Sequence, residues 1–243
     1  MQPTVVFIHG LFQGLGHLRE TPFPGAGQVL VLDLLGYGEH SAAEGPDSIQ
    51  PQVDHVVAEL DRHGVARAIL VGHSTGGAVA MLVAATHPER VSAVVNVEGN
   101  FTLADAFWSS KVAAMPGDAV EAMVAGHRVD PAGWLSAQKM EATEPRITRV
   151  KRMFDAQSGS AVRALARGIV AETARREYLP TIERVLDEGI PVHLLAGERS
   201  RAGWSLPEAF ARRAASDTTQ RGVGHMMPLE DPEGFLDIVA GLV

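Results

Sequence analysis

The pentapeptide Gly72-His73-Ser74-Thr75-Gly76 constrains this chain more than any other stretch. It lies between the apolar run Ala68-Ile69-Leu70-Val71 and an apolar helical stretch, Ala78 to Ala85, that Pro88 ends. A strand that turns straight into a helix puts its apex residue in strained backbone geometry, and flanking glycines keep side chains from colliding there. Ser74 is therefore expected at the apex, with its hydroxyl projected clear of the sheet.

A serine hydroxyl is a weak nucleophile and needs a base to take its proton, with a third group to orient that base. Among ten histidines, His225 has the best setting, in the glycine-punctuated loop Gly222-Val223-Gly224-His225-Met226-Met227-Pro228 ahead of an apolar C-terminal helix. His40, His55, His63, His87 and His127 read as packing or surface residues, and His73 is expected to point away from Ser74. A third signature stands at the start, where Thr4-Val5-Val6-Phe7-Ile8 runs into His9-Gly10-Leu11-Phe12-Gln13-Gly14.

With the His-Gly turn, the Asp33-Leu34-Leu35-Gly36-Tyr37-Gly38 turn after Val29 to Leu32, the serine turn and the late histidine in this order, the chain resembles an α/β-hydrolase over nearly its whole length. The resemblance implies an oxyanion hole made by the N–H groups of Leu11 and Thr75, with His9 bracing the turn. It also implies an acid. The usual position, in the turn Gly197-Glu198-Arg199-Ser200, holds serine in place of aspartate. A minority arrangement, resembling some haloalkane dehalogenases, places the acid after the strand that follows the nucleophile helix, and Val94-Val95-Asn96-Val97-Glu98-Gly99 fits it. Glu98 is thus the expected acid, with Glu198 second. Phe12, Trp108 and Met226 are the expected substrate contacts.

These parts suit acyl transfer from a carboxylic ester, thioester or lactone, because an alkoxide attacking a carbonyl builds an oxyanion. A C–C bond hydrolase or lyase would need the same parts, and a catalytically silent scaffold that binds a small ligand or protein is the reading from another class.

The same strand and helix alternation predicts an α/β fold with a mostly parallel sheet of about six strands, near 4–8, 28–33, 68–72, 92–98, 190–196 and 218–222, and helices on both faces. The resemblance implies that the family's first two strands are absent, which leaves an edge that a second copy could cover; homodimerisation is expected on that ground. About ninety residues separate the fourth and fifth strands, far more than a crossover helix needs. The core is expected over 1–100 and 189–243, with a helical cap over 101–188. Helices are expected over Leu103–Met115, Asp118–Ala125, Pro131–Ala142, Ile147–Ala156, Ser160–Tyr178 and Thr181–Asp187, and Trp134 joins Trp108 in this segment. Arg146, Arg149, Lys151, Arg152, Arg163, Arg167, Arg175 and Arg176 fall there too, either as a solvated face or as a grip on an anionic substrate.

Composition closes other routes. A formal charge of −8 and the lack of a basic stripe disfavour nucleic acid. No cysteine means no disulfide and no thiol nucleophile. The turn after the first strand lacks a phosphate-loop pattern, and no histidine pair shows ligand spacing on one helix, so neither cofactor nor metal is expected. The start Met1-Gln2-Pro3-Thr4 shows no positive n-region and no stretch is long enough to span a bilayer; a cytoplasmic enzyme of a small carbonyl substrate is expected.

Overall fold

The computed structural model describes residues 3–24, 26–42 and 45–243. Met1 and Gln2, part of the expected leaderless start, lie outside the described residues.

Six strands form one parallel sheet: β1 (Thr4–Ile8), β2 (Gln28–Leu32), β3 (Ala68–His73), β4 (Val91–Val97), β5 (Val192–Gly197) and β6 (Ser216–Gln220), in the order β2-β1-β3-β4-β5-β6. All six expected strands are present. Helix α1 (Gln50–Arg62) joins β2 to β3 and α2 (Thr75–Thr86) joins β3 to β4. Between β4 and β5 stand α3 (Phe107–Ala114), α4 (Gly117–Val129), α5 (Pro131–Ala137), α6 (Glu144–Asp155), α7 (Gly159–Thr173) and α8 (Tyr178–Asp187). The chain ends with α9 (Glu208–Arg213), β6, α10 (Met227–Glu230) and α11 (Pro232–Leu242).

The strands alternate sides, and both sides are apolar because helices cover both. Val6, Ile8, Leu70 and Val94 pack on one face with Val53, Val56 and Leu60 of α1, Val79 and Val83 of α2, and Ile182 and Val185 of α8. Val5, Phe7, Ile69, Val71 and Val95 pack on the other with Phe235, Leu236 and Val239 of α11. Central β3 is buried along its whole length, whereas edge strand β6, Ser-Asp-Thr-Thr-Gln, alternates with solvent until Gln220.

All six helices between β4 and β5 depart from the expected bounds: α4 runs on to Val129, α6 starts early at Glu144, and the other departures have local reasons. The first begins at Phe107 rather than Leu103 because the Asp105 carboxylate accepts the N–H groups of Phe101 (3.1 Å) and Thr102 (2.9 Å) and folds 101–106 into a turn. The third stops at Ala137, where Lys139 adopts φ 59°. The stretch expected as one helix to Tyr178 breaks after Thr173, and α8 starts at Tyr178 because Pro180 is tolerated in a first turn. Among the described residues no helix is long and apolar enough to cross a membrane.

Candidate active site

At the C-terminal end of β3 the chain enters α2 through Ser74, whose backbone sits at φ 55°, ψ −122°, a region that L-residues avoid. The flanking glycines are steric necessities. A Cβ on Gly72 would lie 2.4 Å from the Gly76 carbonyl oxygen, and one on Gly76 would lie 2.2 Å from that of Ile8. The strained apex is held by Ser74 N–H donating to Val97 (2.9 Å) and by the Ser74 carbonyl accepting from Gly77 N–H (2.8 Å). Gly10 faces this apex so closely that a Cβ there would come within 2.9 Å of Ser74 Cβ.

That approach brings the turn after β1 against the serine. Thr75 N–H opens α2 and so has no intrahelical acceptor. Leu11 N–H makes no hydrogen bond among the described residues. Both sites therefore retain an uncommitted donor. The Leu11 turn is well braced: Tyr37 Oη donates to the Leu11 carbonyl (2.8 Å), His9 Nδ1 donates to Gly10 (2.8 Å), and His9 Nε2 accepts Leu34 N–H (3.0 Å). Burial pushes His9 down to about 4, so it stays neutral and keeps that acceptor. Gln13, at φ 56°, donates to the Asp33 carboxylate (2.7 Å), which also meets Arg19 (3.0 Å).

Glu98 caps β4 with φ 43°, another positive-φ residue without the licence of glycine. Its carboxylate is buried and accepts three hydrogen bonds: from His225 Nδ1 (2.6 Å) on Oε2, and from Gly197 N–H (2.8 Å) and Ser200 Oγ (2.5 Å) on Oε1. Burial alone would raise the carboxyl, but these donors together outweigh it and hold Glu98 below the usual glutamate range. Ser200, which stands at the usual acid position in place of aspartate, thus hydrogen-bonds Glu98, the carboxylate expected in that role. Glu198 lies apart, its carboxylate accepting Gly222 N–H (2.8 Å), and Asp231 caps α11 by accepting Gly234 N–H (3.1 Å).

With Nδ1 on Glu98, Nε2 is the imidazole nitrogen left for chemistry. The loop carrying His225 is clamped from three sides: Gly224 N–H donates to Glu230 (3.0 Å), Arg199 pairs with Glu230 (2.7 Å), and His73 Nε2 donates to the His225 carbonyl (2.9 Å). His73 is a role the sequence did not reveal. Burial, then the neighbouring His225, drops it to about 3, so it is a neutral brace. No hydrogen bond joins Ser74 to His225 among the described residues; contacts of this type commonly tighten only in the Michaelis complex.

Ser74 and His225 open into one cavity of about 440 Å³, within the range of small-molecule sites. Phe12, Trp108 and Met226 line it, as does Trp134. Trp204 was not anticipated; it stacks on Phe101 with centroids 5.6 Å apart and donates to the Gly99 carbonyl (2.8 Å). Polar groups are few, among them Asn100, Gln138 and Asp105, whose carboxyl burial raises. No arginine or lysine lines the cavity among the described residues. Instead Arg149 and Arg152 border separate surface crevices beside His17 and Glu20, Arg146 donates to the Glu230 carbonyl, and Arg167 pairs with Asp47.

Residues 5–238 match the model of the alpha/beta hydrolase family. The acetyltransferase component of the acetoin cleaving system of Cupriavidus necator is 28% identical over 96% of this chain, which spans 61% of that protein's length. Lipase LipV of Mycobacterium tuberculosis is 42% identical over 79 residues, 32% of this chain and 28% of its own. Among solved structures, Est816, an N-acyl homoserine lactone degrading enzyme, is 25% identical and matches with a TM-score of 0.67 over all of this chain and 94% of its own.

Proposed function

Because the chain belongs to the alpha/beta hydrolase family, we propose that it is a serine hydrolase of neutral, apolar carboxylic esters, lactones included. The observation that carries this reading is the 2.6 Å bond between Glu98 and His225 Nδ1 beside a serine at a strained strand–helix apex. Ser74 Oγ attacks the carbonyl carbon while His225 Nε2 takes its proton. Glu98, ionised and fully hydrogen-bonded, holds the ring and stabilises the imidazolium. The negative charge that develops on the carbonyl oxygen falls to the N–H groups of Leu11 and Thr75, each worth about 3 kcal/mol of barrier. The imidazolium then protonates the departing alkoxide, and water, deprotonated by the same nitrogen, releases the acid from Ser74.

Substrate class follows from the lining. A cavity walled by Phe12, Trp108, Trp134, Trp204 and Met226 without a cation accepts an uncharged apolar group. The lipase and lactone-degrading relatives fit ester chemistry of that kind. The test is hydrolysis of p-nitrophenyl esters and acyl lactones of graded chain length. Turnover of neutral esters by wild type that vanishes in Ser74→Ala supports the reading; residual wild-type rates in Ser74→Ala would refute it.

A further inference from the structure

We propose that His40, His55 and Glu59 form a binding site for a divalent transition-metal ion of the zinc class, remote from Ser74. Each side chain offers one ligand atom, and these atoms lie within 4.8 Å of one another. His55 and Glu59 stand four residues apart on α1 and share a face. His40 reaches them from the single-turn helix Gly38–His40 that follows β2, and its ring meets His55 edge to face with centroids 4.5 Å apart.

Three details set this cluster apart from a chance grouping. His55 Nε2 lies 3.0 Å from the Asp33 carbonyl. A carbonyl only accepts, so Nε2 carries the proton and Nδ1 keeps its lone pair, the anchored tautomer that surrounds metal sites. His40 Nε2 is buried with no hydrogen-bond partner among the described residues, a costly state for a polar atom unless something binds it. Glu59 is buried, and Arg62 holds its carboxylate in place beside the two histidines, with Nε 3.1 Å from each oxygen and Nη2 2.5 Å from Oε2. Half-exposed Arg62 can stay on the carboxylate as its outer partner or turn to water at little cost.

Two imidazoles and a carboxylate are donors that zinc takes, at about 2.0–2.2 Å, with water in the fourth position. The set escaped the sequence because its histidines come from different elements. An ion here would brace the main site without touching substrate. His55 is anchored on Asp33, and the Asp33 carboxylate holds Gln13 (2.7 Å) in the turn that presents Leu11 N–H.

The test titrates ZnCl2 into the chelator-stripped full chain by calorimetry, with Co2+ absorption as a coordination readout and thermal unfolding alongside. Expected are one ion per chain, tetrahedral Co2+ bands and a higher Tm with zinc. Affinity should fall at least about 100-fold in both His40→Gln and Glu59→Gln and stay unchanged in His87→Ala. Two variants keep the test sound should one fail to fold, and wild-type binding stands independently of both. Absence of stoichiometric binding to the folded wild type, or equal binding in a folded ligand variant, would overturn the proposal.

Discussion

The strand-end turns and the helical segment between β4 and β5 enclose the same cavity on opposite terms. The turns after β1, β3, β4 and β6 are polar and tightly bonded: Ser74 and Glu98 hold left-handed backbone, and Glu98, His225 and His9 each have named partners. The helical segment offers Phe107, Trp108, Trp134 and Met123 beside the polar Asp105 and Gln138, and none of its arginines lines the cavity among the described residues. Placement of the polar atoms thus belongs to the strand ends, where close glycine approaches and hydrogen bonds hold the turns. The helices over them supply apolar volume, which tolerates variation. If this contrast is right, changes in the turns should strike turnover and changes in the helices should strike substrate preference.

The largest effect is expected from Glu98→Gln, which keeps the shape but removes the charge that orients and stabilises the imidazolium; kcat in steady-state ester hydrolysis should fall roughly 10³–10⁴-fold with the fold intact by circular dichroism. An unchanged rate would move the role of acid elsewhere. Ser200→Ala removes one donor from Glu98 and should lower kcat about tenfold with KM unchanged. Such a result would separate Ser200, a positioning residue, from the catalytic groups. Trp134→Ala should leave kcat for short esters within about twofold and shift KM for longer acyl chains, since it only enlarges the apolar wall. Arg149→Ala and Arg152→Ala should change KM for neither neutral nor anionic esters; a selective loss for anionic esters would bring the arginines back into the site.

Acid sensitivity sharpens the contrast from another side. His9 and His73, held neutral by burial down to about 4 and 3, bind protons in the unfolded chain first, starting from the ordinary value of 6.5. Unfolding is therefore favoured as pH falls below 6.5, and the loss grows until the folded values are reached. Glu98 adds a later loss, because its folded carboxyl lies below 4.5: the stability it contributes is present above 4.5 and fades as pH falls through the folded value. Denaturant unfolding at pH 7, 5.5 and 4.5 should show a steady decline that His73→Gln reduces. Equal stability at all three would contradict the neutral-brace role.

Much of this was legible because steric need leaves marks in sequence. Gly72 and Gly76 are there because no Cβ fits, and Gly10 because Ser74 lies against it. Glu98 was legible as a carboxylate ending an apolar strand. Ser200 was not: a serine in place of an aspartate reads as a loss, and only the fold brings its hydroxyl onto Glu98. His73 and Trp204 were hidden for the same reason, their partners lying 152 and 105 residues away. The arginine-rich segment left two readings open, since residue type carries no information on which side of a helix meets the cavity.

The most direct test is intact-mass analysis after exposure to a fluorophosphonate, whose phosphorus reacts with an activated serine and whose adduct resembles the tetrahedral intermediate. One adduct per wild-type chain, lost in Ser74→Ala and strongly slowed in Glu98→Gln, is the expected result. A folded wild type that takes no label, or a Ser74→Ala variant that labels equally, would contradict the assignment of Ser74 as the nucleophile.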